Sequence, residues 1–276
     1  MTATNELIES ERFAKWNRKL QGSWSSSDYA RIGVTLQIVG ETLAEAADFA
    51  PGSSVLDVAA GNGNASLALA RRFCEVTSTD FVQDMLDKGR RRAEAEDLPI
   101  EFEIADAQNL HYADNSFDGV VSTFGVMFAP NQQAAASELV RVCKPGGQIA
   151  LACWTPDSFV GRVCAAIGRH MSASPGFMSP QNWGREDWLH AHFDDACSPV
   201  RIERRLFHFR YRSPEHYLEF FRTHYGLLRK AFEVVGPAGE AALETEILTI
   251  AREFNTADDG TLRASSAYSQ AIMIKG

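Results

Sequence analysis

The segment from Val55 to Gly63 constrains the fold most, because an apolar run ends there in an acid and passes through small residues into a helical stretch. A strand, a glycine turn and a helix in this order let a ligand approach the backbone closely. Further strand-like runs then alternate with helical stretches, which predicts a parallel sheet covered by helices on both faces. The predicted strands are 54–58, 75–79, 100–105, 119–123 and 148–154, and the predicted helices lie near 63–73, 82–96 and 131–142.

The flanking regions are less regular. Residues 5–20 indicate a weakly patterned helix, and the spacing of Leu36, Val39, Leu43 and Ala47 predicts an amphipathic helix that ends before Pro51-Gly52. Beyond Trp154 we predict a loop over 170–184, a strand over 200–212, a helix from Pro214 and another over about 237–254. The closing run 261–275 reads as an edge strand.

This organisation fits one domain over residues 1–276. Within it we expect an N-terminal helical lid (1–50), a ligand-binding core (51–169) and a segment with a lid insertion and the remaining strands (170–276). The oligomeric state stays open, with a homodimer as one option.

Charge and cysteine usage narrow the partners. The net charge of -9 gives no basic footprint for nucleic acid, so a small molecule is the expected partner. Five scattered cysteines without a C-x-x-C pair favour free thiols over disulfides or a metal site. The N-terminus is polar and lacks the pattern of a signal peptide, which predicts a cytoplasmic protein. No run approaches roughly 18 apolar residues, so we expect no membrane span.

The acid in the turn indicates the kind of ligand. A carboxylate at Asp57 would repel a pyrophosphate on the turn, whereas it would suit a ligand that carries an ammonium and a sulfonium and no phosphate. S-adenosylmethionine is such a ligand.

Five motifs in register resemble the class I S-adenosylmethionine-dependent methyltransferases, and within them the group similar to ubiquinone/menaquinone-biosynthesis methyltransferases. They are Val55 to Gly63, Thr79-Asp80-Phe81, Ala105-Asp106-Ala107, Asn115-Ser116-Phe117-Asp118 and the run from Leu139 to Gly147. Ala59 departs from the pattern, since the family often has glycine there. The resemblance implies an α/β Rossmann-like doubly wound fold, with a mostly parallel seven-stranded sheet, an antiparallel final strand and helical lid elements.

The resemblance also implies roles for single residues. Asp57 would organise the turn and the amino group of the cofactor, Asp80 would accept hydrogen bonds from the ribose, and Asp106 would bind the adenine amino group. The other residues implied at the cofactor are Ala59, Gly61 and Gly63 in the turn, Phe81, Met85 and Ala107 around the adenine, Ser122, Thr123 and Phe124 at the methionine moiety, and Tyr29 at its carboxylate. Each has a structural alternative as a turn, helix-start or core residue.

The acceptor half is less defined. Aromatic stretches from Phe177 to Phe193 and from Tyr217 to Phe232 suggest an apolar or aromatic small-molecule methyl acceptor, or simply the core of the lid. Methylation at oxygen, nitrogen or carbon stays open. His190, His192, His216 and His224 are candidates for a general base, and none of them is preferred.

Two other functions remain to be tested. A methyltransferase-fold protein could bind the cofactor without transferring a methyl group. A nicotinamide-dependent oxidoreductase is the second alternative, but Ser66 stands where the third glycine of G-x-G-x-x-G would be, and Asp57 has the wrong charge for a phosphate-facing turn.

Overall fold

The computed structural model describes residues 3–170 and 178–276, with side chains described from residue 11 onward. Its centre is a seven-stranded sheet with the order β3-β2-β1-β4-β5-β7-β6. The strands are β1 (Ser54–Val58), β2 (Glu75–Asp80), β3 (Ile100–Ile104), β4 (Phe117–Thr123), β5 (Cys143–Trp154), β6 (Cys197–Tyr211) and β7 (Leu262–Lys275).

Helices cover both faces of the sheet and one end of it. They are α1 (Ala3–Ser25), α2 (Ala30–Gly33), α3 (Gln37–Ala47), α4 (Asn64–Ala70), α5 (Gln83–Ala95), α6 (Gln132–Val142), α7 (Phe159–His170), α8 (Glu186–Phe193), α9 (Pro214–His224) and α10 (Gly226–Phe254). One hydrophobic cluster runs through the sheet and these helices, from Trp24 to Met273.

The connectivity places a ligand crevice between β1 and β4. β1 pairs in parallel with β2 on one side and with β4 on the other, so the direction in which the sheet is built reverses between these two strands. Open α/β sheets bind ligands at such a reversal, outside the carboxyl ends of the strands. The predicted doubly wound sheet with an antiparallel final strand is confirmed.

The final strand does not lie at the edge, so the prediction for 261–275 is wrong. β7 pairs with β5 on one side and with β6 on the other, and β6 is the edge strand. Serine and glutamine in β7 suggest an exposed strand, yet Ser266, Ser269 and Gln270 are buried. The charged residues that protect an edge from further pairing are found in β6 instead, where Arg201 and Arg204 are exposed.

Other differences concern the ends of elements. β5 begins at Cys143 rather than at 148, because Cys143 already pairs with Phe117. Of the predicted loop 170–184, residues 171–177 lie outside the described residues, as does Phe177 of the aromatic stretch, and Pro180–Gly184 form a 3-10 helix. α10 bends at Gly236 (φ +61°), just before the predicted helix at Pro237.

Candidate active site

A cleft at the carboxyl ends of β1 to β4 encloses about 930 Å³, its open mouth included. The cleft is lined by Ala59–Asn62 and Asn64 from the turn after β1, by Asp80–Val82 and Met85 after β2, by Ala105–Ala107 after β3, by Thr123–Val126, Phe128 and Ala129 after β4, and by Asn17, Trp24, Tyr29, Gly33 and Leu36 from the N-terminal region.

The turn after β1 brings backbone amides to the cleft. Gly61 has a φ of +58°, and a side chain there would meet no atom within 4 Å, so its missing side chain leaves open space. Its amide donates to Asp80 Oδ2 at 2.9 Å. Ala59 also has a positive φ, of +53°. Ala59 therefore takes the left-handed conformation that a glycine often supplies in the family motif.

Arg92 on α5 holds this turn from behind. Its Nη1 donates to the carbonyl of Asn62 at 2.6 Å and to Asn64 Oδ1 at 2.8 Å. Asn64 Nδ2 in turn donates to the carbonyl of Gly33 at 2.7 Å, which links the turn to the N-terminal region. Burial lowers the pKa of Arg92 from its usual value, because the guanidinium is partly desolvated. The turn is thus fixed by hydrogen bonds that do not involve a ligand.

Asp80 is the buried carboxylate at the end of β2. Its Oδ1 accepts from the amide of Val82 and its Oδ2 from that of Gly61, both at 2.9 Å. Burial raises the pKa of Asp80 to about 6, although these amides favour the ionised form. Each carboxylate oxygen keeps acceptor capacity after one hydrogen bond, so Asp80 can accept further donors from the cleft.

Asp106 follows β3 and already has partners. Its Oδ2 accepts from Asn17 Nδ2 at 2.6 Å, and its Oδ1 accepts from the amide of Gln108 at 3.0 Å. Asn17 lies on α1, and Gln21 of the same helix donates to the carbonyl of Phe81 at 2.6 Å. α1 is therefore tied across the cleft to the loops after β2 and β3.

Asp57 does not line the cleft. Its Oδ2 accepts from the amide and the hydroxyl of Ser66, at 2.9 and 2.6 Å, at the start of α4. Its Oδ1 is buried without a partner, and burial raises the pKa of Asp57 to about 7. The Asp57 side chain turns away from the cleft into the helix start, where the Ser66 amide and the helix dipole stabilise its charge, so it does not contact a ligand in the cleft directly.

The end of β4 forms the opposite wall. Ser122 lies behind this wall, where its hydroxyl donates to the carbonyl of Val58 at 2.7 Å and accepts from the amide of Val126 at 3.0 Å. Thr123 Oγ1 is buried without a partner. The ring of Phe124 stacks on Trp154, with centroids 3.8 Å apart and an interplanar angle of 5°. The wall is thus rigid and largely apolar.

Ten of the thirteen cofactor residues predicted from the sequence line the cleft, and three do not. Those in the lining are Tyr29, Ala59, Gly61, Asp80, Phe81, Met85, Asp106, Ala107, Thr123 and Phe124; Asp57, Gly63 and Ser122 lie behind it. Sequence reasoning missed Asn17 and Asn62. Asn62 Nδ2 is buried without a partner. Its position inside the glycine motif was an available signal for a cleft residue.

The four histidine candidates are not brought to the cleft. His190 pairs with Asp194 on α8, and His192 stacks on Trp188 with centroids 3.8 Å apart. His216 accepts from the amide of Arg212, and His224 lies against Phe220. None of the described residues that line the cleft is a histidine, so a base role has no geometric support.

The charge of the lining is one-sided. Its ionised side chains are the carboxylates of Asp80 and Asp106, and no Lys or Arg is found among the described lining residues. The guanidinium of Arg31, near Tyr29 in the sequence, lies outside the lining, and its Nε is 3.7 Å from Asp28 Oδ2. A cleft of this charge suits a cation and gives no partner to a phosphate.

Comparison with known proteins agrees with this geometry. Residues 55–147 match the family model described as "Methyltransferase domain". An uncharacterized protein of Mycobacterium tuberculosis is 34% identical over 259 residues, covering 92% of this chain and 93% of that protein. A demethylmenaquinone methyltransferase of Clavibacter sepedonicus is 40% identical over 131 residues, covering 46% of this chain and 53% of that protein.

A solved structure has the same fold. It is a geranyl diphosphate methyltransferase in complex with S-adenosylmethionine. The TM-score is 0.54, and the alignment covers 87% of this chain and 85% of that one. Its sequence identity is 16%, so the likeness concerns the fold. No helix among the described residues is long and apolar enough to cross a membrane.

Proposed function

Because the chain belongs to the class I S-adenosylmethionine-dependent methyltransferases, similar to the menaquinone/ubiquinone group, we propose that it methylates a small, uncharged, apolar or aromatic metabolite in the cleft. The observation that carries this proposal is the charge of the lining, with two carboxylates and no described Lys, Arg or His. The family membership decides between the two cofactors considered from the sequence, in favour of S-adenosylmethionine.

The residues around the cleft fit that cofactor. Asp80 would accept from the ribose hydroxyls, since both of its oxygens retain lone pairs beside the amides of Gly61 and Val82. The open space at Gly61 leaves room for a ligand against the turn. Asn62 Nδ2, next to Gly61 in the turn, has no acceptor among the described residues. A buried donor of this kind favours a ligand that supplies an acceptor.

Asp106 would bind the adenine amino group, as the family resemblance implies. Its Oδ2 holds Asn17 of α1 at 2.6 Å, so a second donor must share that oxygen or displace the amide. Binding at Asp106 would therefore act on α1 directly. The helix that covers the cleft would respond to the occupancy of the adenine site.

The chain's own contribution to the reaction is alignment. When bound, S-adenosylmethionine supplies an electrophilic methyl group, which is the difficult part of the chemistry. The rigid wall of Phe124 and Trp154 and the cover formed by Trp24 and Tyr29 would orient the acceptor and exclude water. Orientation of this kind can supply several kcal/mol of the barrier. Without a histidine in the described lining, an acceptor that ionises readily or already presents a lone pair fits best.

The names of the relatives suggest two types of methyl acceptor and do not identify the acceptor of this chain. The Clavibacter relative is named for a quinone-type substrate, and its match covers 46% of this chain. The structural neighbour is named for a diphosphate substrate. The cleft supports the first type better, because no described lining residue is a cation that could neutralise a diphosphate.

The test uses tritiated methyl groups. Purified protein is incubated with methyl-labelled S-adenosylmethionine and fractionated extract, and label should enter an apolar, uncharged fraction. Asp80→Ala should abolish most of the transfer, whereas the same change at the exposed Asp84 on α5 should not. Cofactor binding without transfer to any fraction would favour the alternative of a methyltransferase fold that only binds the cofactor.

A further inference from the structure

Tyr29 lies where three distant segments meet at the cleft. It lines the cleft and is part-exposed, just before α2. Its ring is 5.0 Å from that of Trp24 and 6.1 Å from that of Tyr225, between α9 and α10. The thiol of Cys164 on α7 is also close enough to influence it. Tyr29 therefore joins the lining of the cleft to the residues packed behind it, Tyr225 and Cys164.

The cluster behind Tyr29 consists of uncharged hydrogen-bond donors. The Tyr225 hydroxyl and the Cys164 thiol lie close enough for each to influence the pKa of the other. Burial raises the pKa of the Cys164 thiol to about 11, and it raises the pKa values of Tyr29 and Tyr225 above their usual value of about 10. All three groups therefore stay protonated at neutral pH. They can donate to a neutral oxygen, and they add no charge to the cleft.

The segments that carry the cluster differ from those that carry the cofactor half of the cleft. The glycine turn, Asp80 and Asp106 all lie within residues 55–147, the part that matches the methyltransferase family model. Tyr29, Cys164 and Tyr225 all lie outside that range. The sheet order β3-β2-β1-β4 also places Asp80 and Asp106 on the side of β1 away from β4. Tyr29 is thus supported by segments that the common cofactor-binding region does not include.

Flat rings surround the same end of the cleft. Trp24 and Phe128 both line it, with centroids 5.2 Å apart at 71°, and Trp24 is also 5.5 Å from Tyr225. Rings in edge-to-face contact leave faces and edges on which another planar ring can pack. With no described cationic side chain in the lining, this end favours an uncharged aromatic molecule.

We propose that Tyr29 is a specificity-determining residue for the methyl acceptor, an uncharged aromatic compound whose oxygen accepts a hydrogen bond from the Tyr29 hydroxyl while its ring packs against Trp24 and Phe128. Tyr225 and Cys164 act as positioning residues behind it. This inference rests on the proposed function, because it assigns the acceptor end of the same cleft. It differs from the role that sequence reasoning gave to Tyr29, at the carboxylate of the cofactor.

Calorimetry with a matched pair of probes tests the inference. Binding of 2-naphthol and of naphthalene, which lacks the oxygen, is measured in the presence of S-adenosylhomocysteine for wild type and Tyr29→Phe. We expect Tyr29→Phe to weaken 2-naphthol binding about tenfold and to leave naphthalene binding unchanged, since one hydrogen bond is lost. 2-Naphthyl phosphate should bind at least tenfold more weakly than 2-naphthol. Tyr112→Phe is the control, because Tyr112 bonds Glu103 away from the cleft.

Each opposite result overturns the assignment. If Tyr29→Phe weakens S-adenosylhomocysteine binding and spares 2-naphthol, Tyr29 belongs to the cofactor site. Equal losses for naphthalene and 2-naphthol would reduce its role to packing, and tighter binding of the phosphate would contradict the uncharged class. Wild type that binds S-adenosylhomocysteine but not 2-naphthol also rejects the inference. Wild type that does not bind S-adenosylhomocysteine at all would instead reject the proposed function.

Discussion

The two ends of the cleft are held together by different forces. At the end formed by the loops after β1, β2 and β3, Asp80 and Arg92 hold the glycine turn through hydrogen bonds of 2.6 to 2.9 Å. At the end formed by Trp24, Tyr29 and Phe128, rings pack at centroid distances of 5.0 to 5.2 Å. Hydrogen bonds fix direction, whereas apolar packing is non-directional. The first end is therefore suited to one fixed ligand, and the second can be adapted to different acceptors.

The largest expected effect concerns the buried carboxylate behind the turn. Burial raises the pKa of Asp57 to about 7, so its protonated form is favoured in the folded state. The contribution of Asp57 to the free energy of unfolding is fully present below about pH 4, and it is lost as the pH rises through about 7. Asp57→Asn removes the ionisation and keeps the shape. Relative to wild type, the variant should gain on the order of 2–4 kcal/mol between pH 4 and pH 8.

Urea unfolding of both proteins across that pH range measures the difference. Asp118 on β4 is the control, because its carboxylate is partly exposed and its hydrogen bond from Lys144 lowers its pKa, whereas burial raises the pKa of Asp57. For Asp118→Asn the stability relative to wild type should be constant between pH 4 and pH 8 and should change, with the opposite sign, only below about pH 4, because the lowered pKa confines the change to that acidic range. A constant difference between Asp57→Asn and wild type would show that Asp57 ionises normally.

The next prediction tests how closely the turn is packed against the end of β4. A Cβ at Gly125 would lie 2.0 Å from the carbonyl oxygen of Ala59, which is backbone and cannot rotate away. Gly125→Ala should therefore cost about 1–3 kcal/mol of unfolding free energy and weaken cofactor binding. Gly168→Ala on α7, where a Cβ meets nothing within 4 Å, is the matched control and should be neutral or slightly stabilising. Equal thermal midpoints for the two variants would contradict the contact.

Asp80 provides the direct test of the cofactor end. Asp80→Ala should weaken S-adenosylhomocysteine binding by on the order of 1–3 kcal/mol, the cost of leaving buried donors unpaired. Because the pKa of Asp80 is raised to about 6, wild-type affinity should also fall as pH drops below 6. In the variant this part of the pH dependence should be missing. Unchanged affinity on calorimetry would remove Asp80 from the site.

The smallest effect is expected at the contact between the two ends. Asn17→Ala removes the hydrogen bond from α1 to Asp106 and should speed cofactor release about three- to tenfold, since one hydrogen bond is lost. Stopped-flow displacement of S-adenosylhomocysteine measures the rate. Lys15→Ala, an exposed change on the same helix, should leave the rate as in wild type. Slower release from Asn17→Ala would mean that Asn17 competes with the ligand rather than holding the cover.

The sequence predicted the sheet and most of the cofactor end, because short-range patterns determine them. Alternating strands and helices, and an acid at the end of β2, placed Asp80 beside the turn. For Asp57 the local pattern allowed both a ligand role and a place at the start of the next helix, and only the fold shows that it bonds to Ser66. The edge position of β6 depends on its pairing with β7, more than fifty residues later in the chain. A local sequence pattern does not predict such long-range pairing.

The acceptor end was predicted least well. Tyr225 lies within the aromatic stretch from Tyr217 to Phe232, but its meeting with Cys164 and Tyr29 depends on the packing of α7 and α10, which the sequence pattern does not show. The aromatic stretches around Trp183 and Tyr217 proved to be core, with both side chains fully buried. The four histidines were proposed from their place in the predicted acceptor half and from the pKa range of histidine, and none of them lies in the described lining of the cleft.

The central claim is that the cleft accepts a phosphate-free nucleoside that carries an ammonium group. Calorimetric titration of the wild-type protein with S-adenosylhomocysteine and, separately, with NADH tests it most directly. We predict one S-adenosylhomocysteine bound per chain and no detectable heat from NADH. Binding of NADH without binding of S-adenosylhomocysteine would contradict the claim.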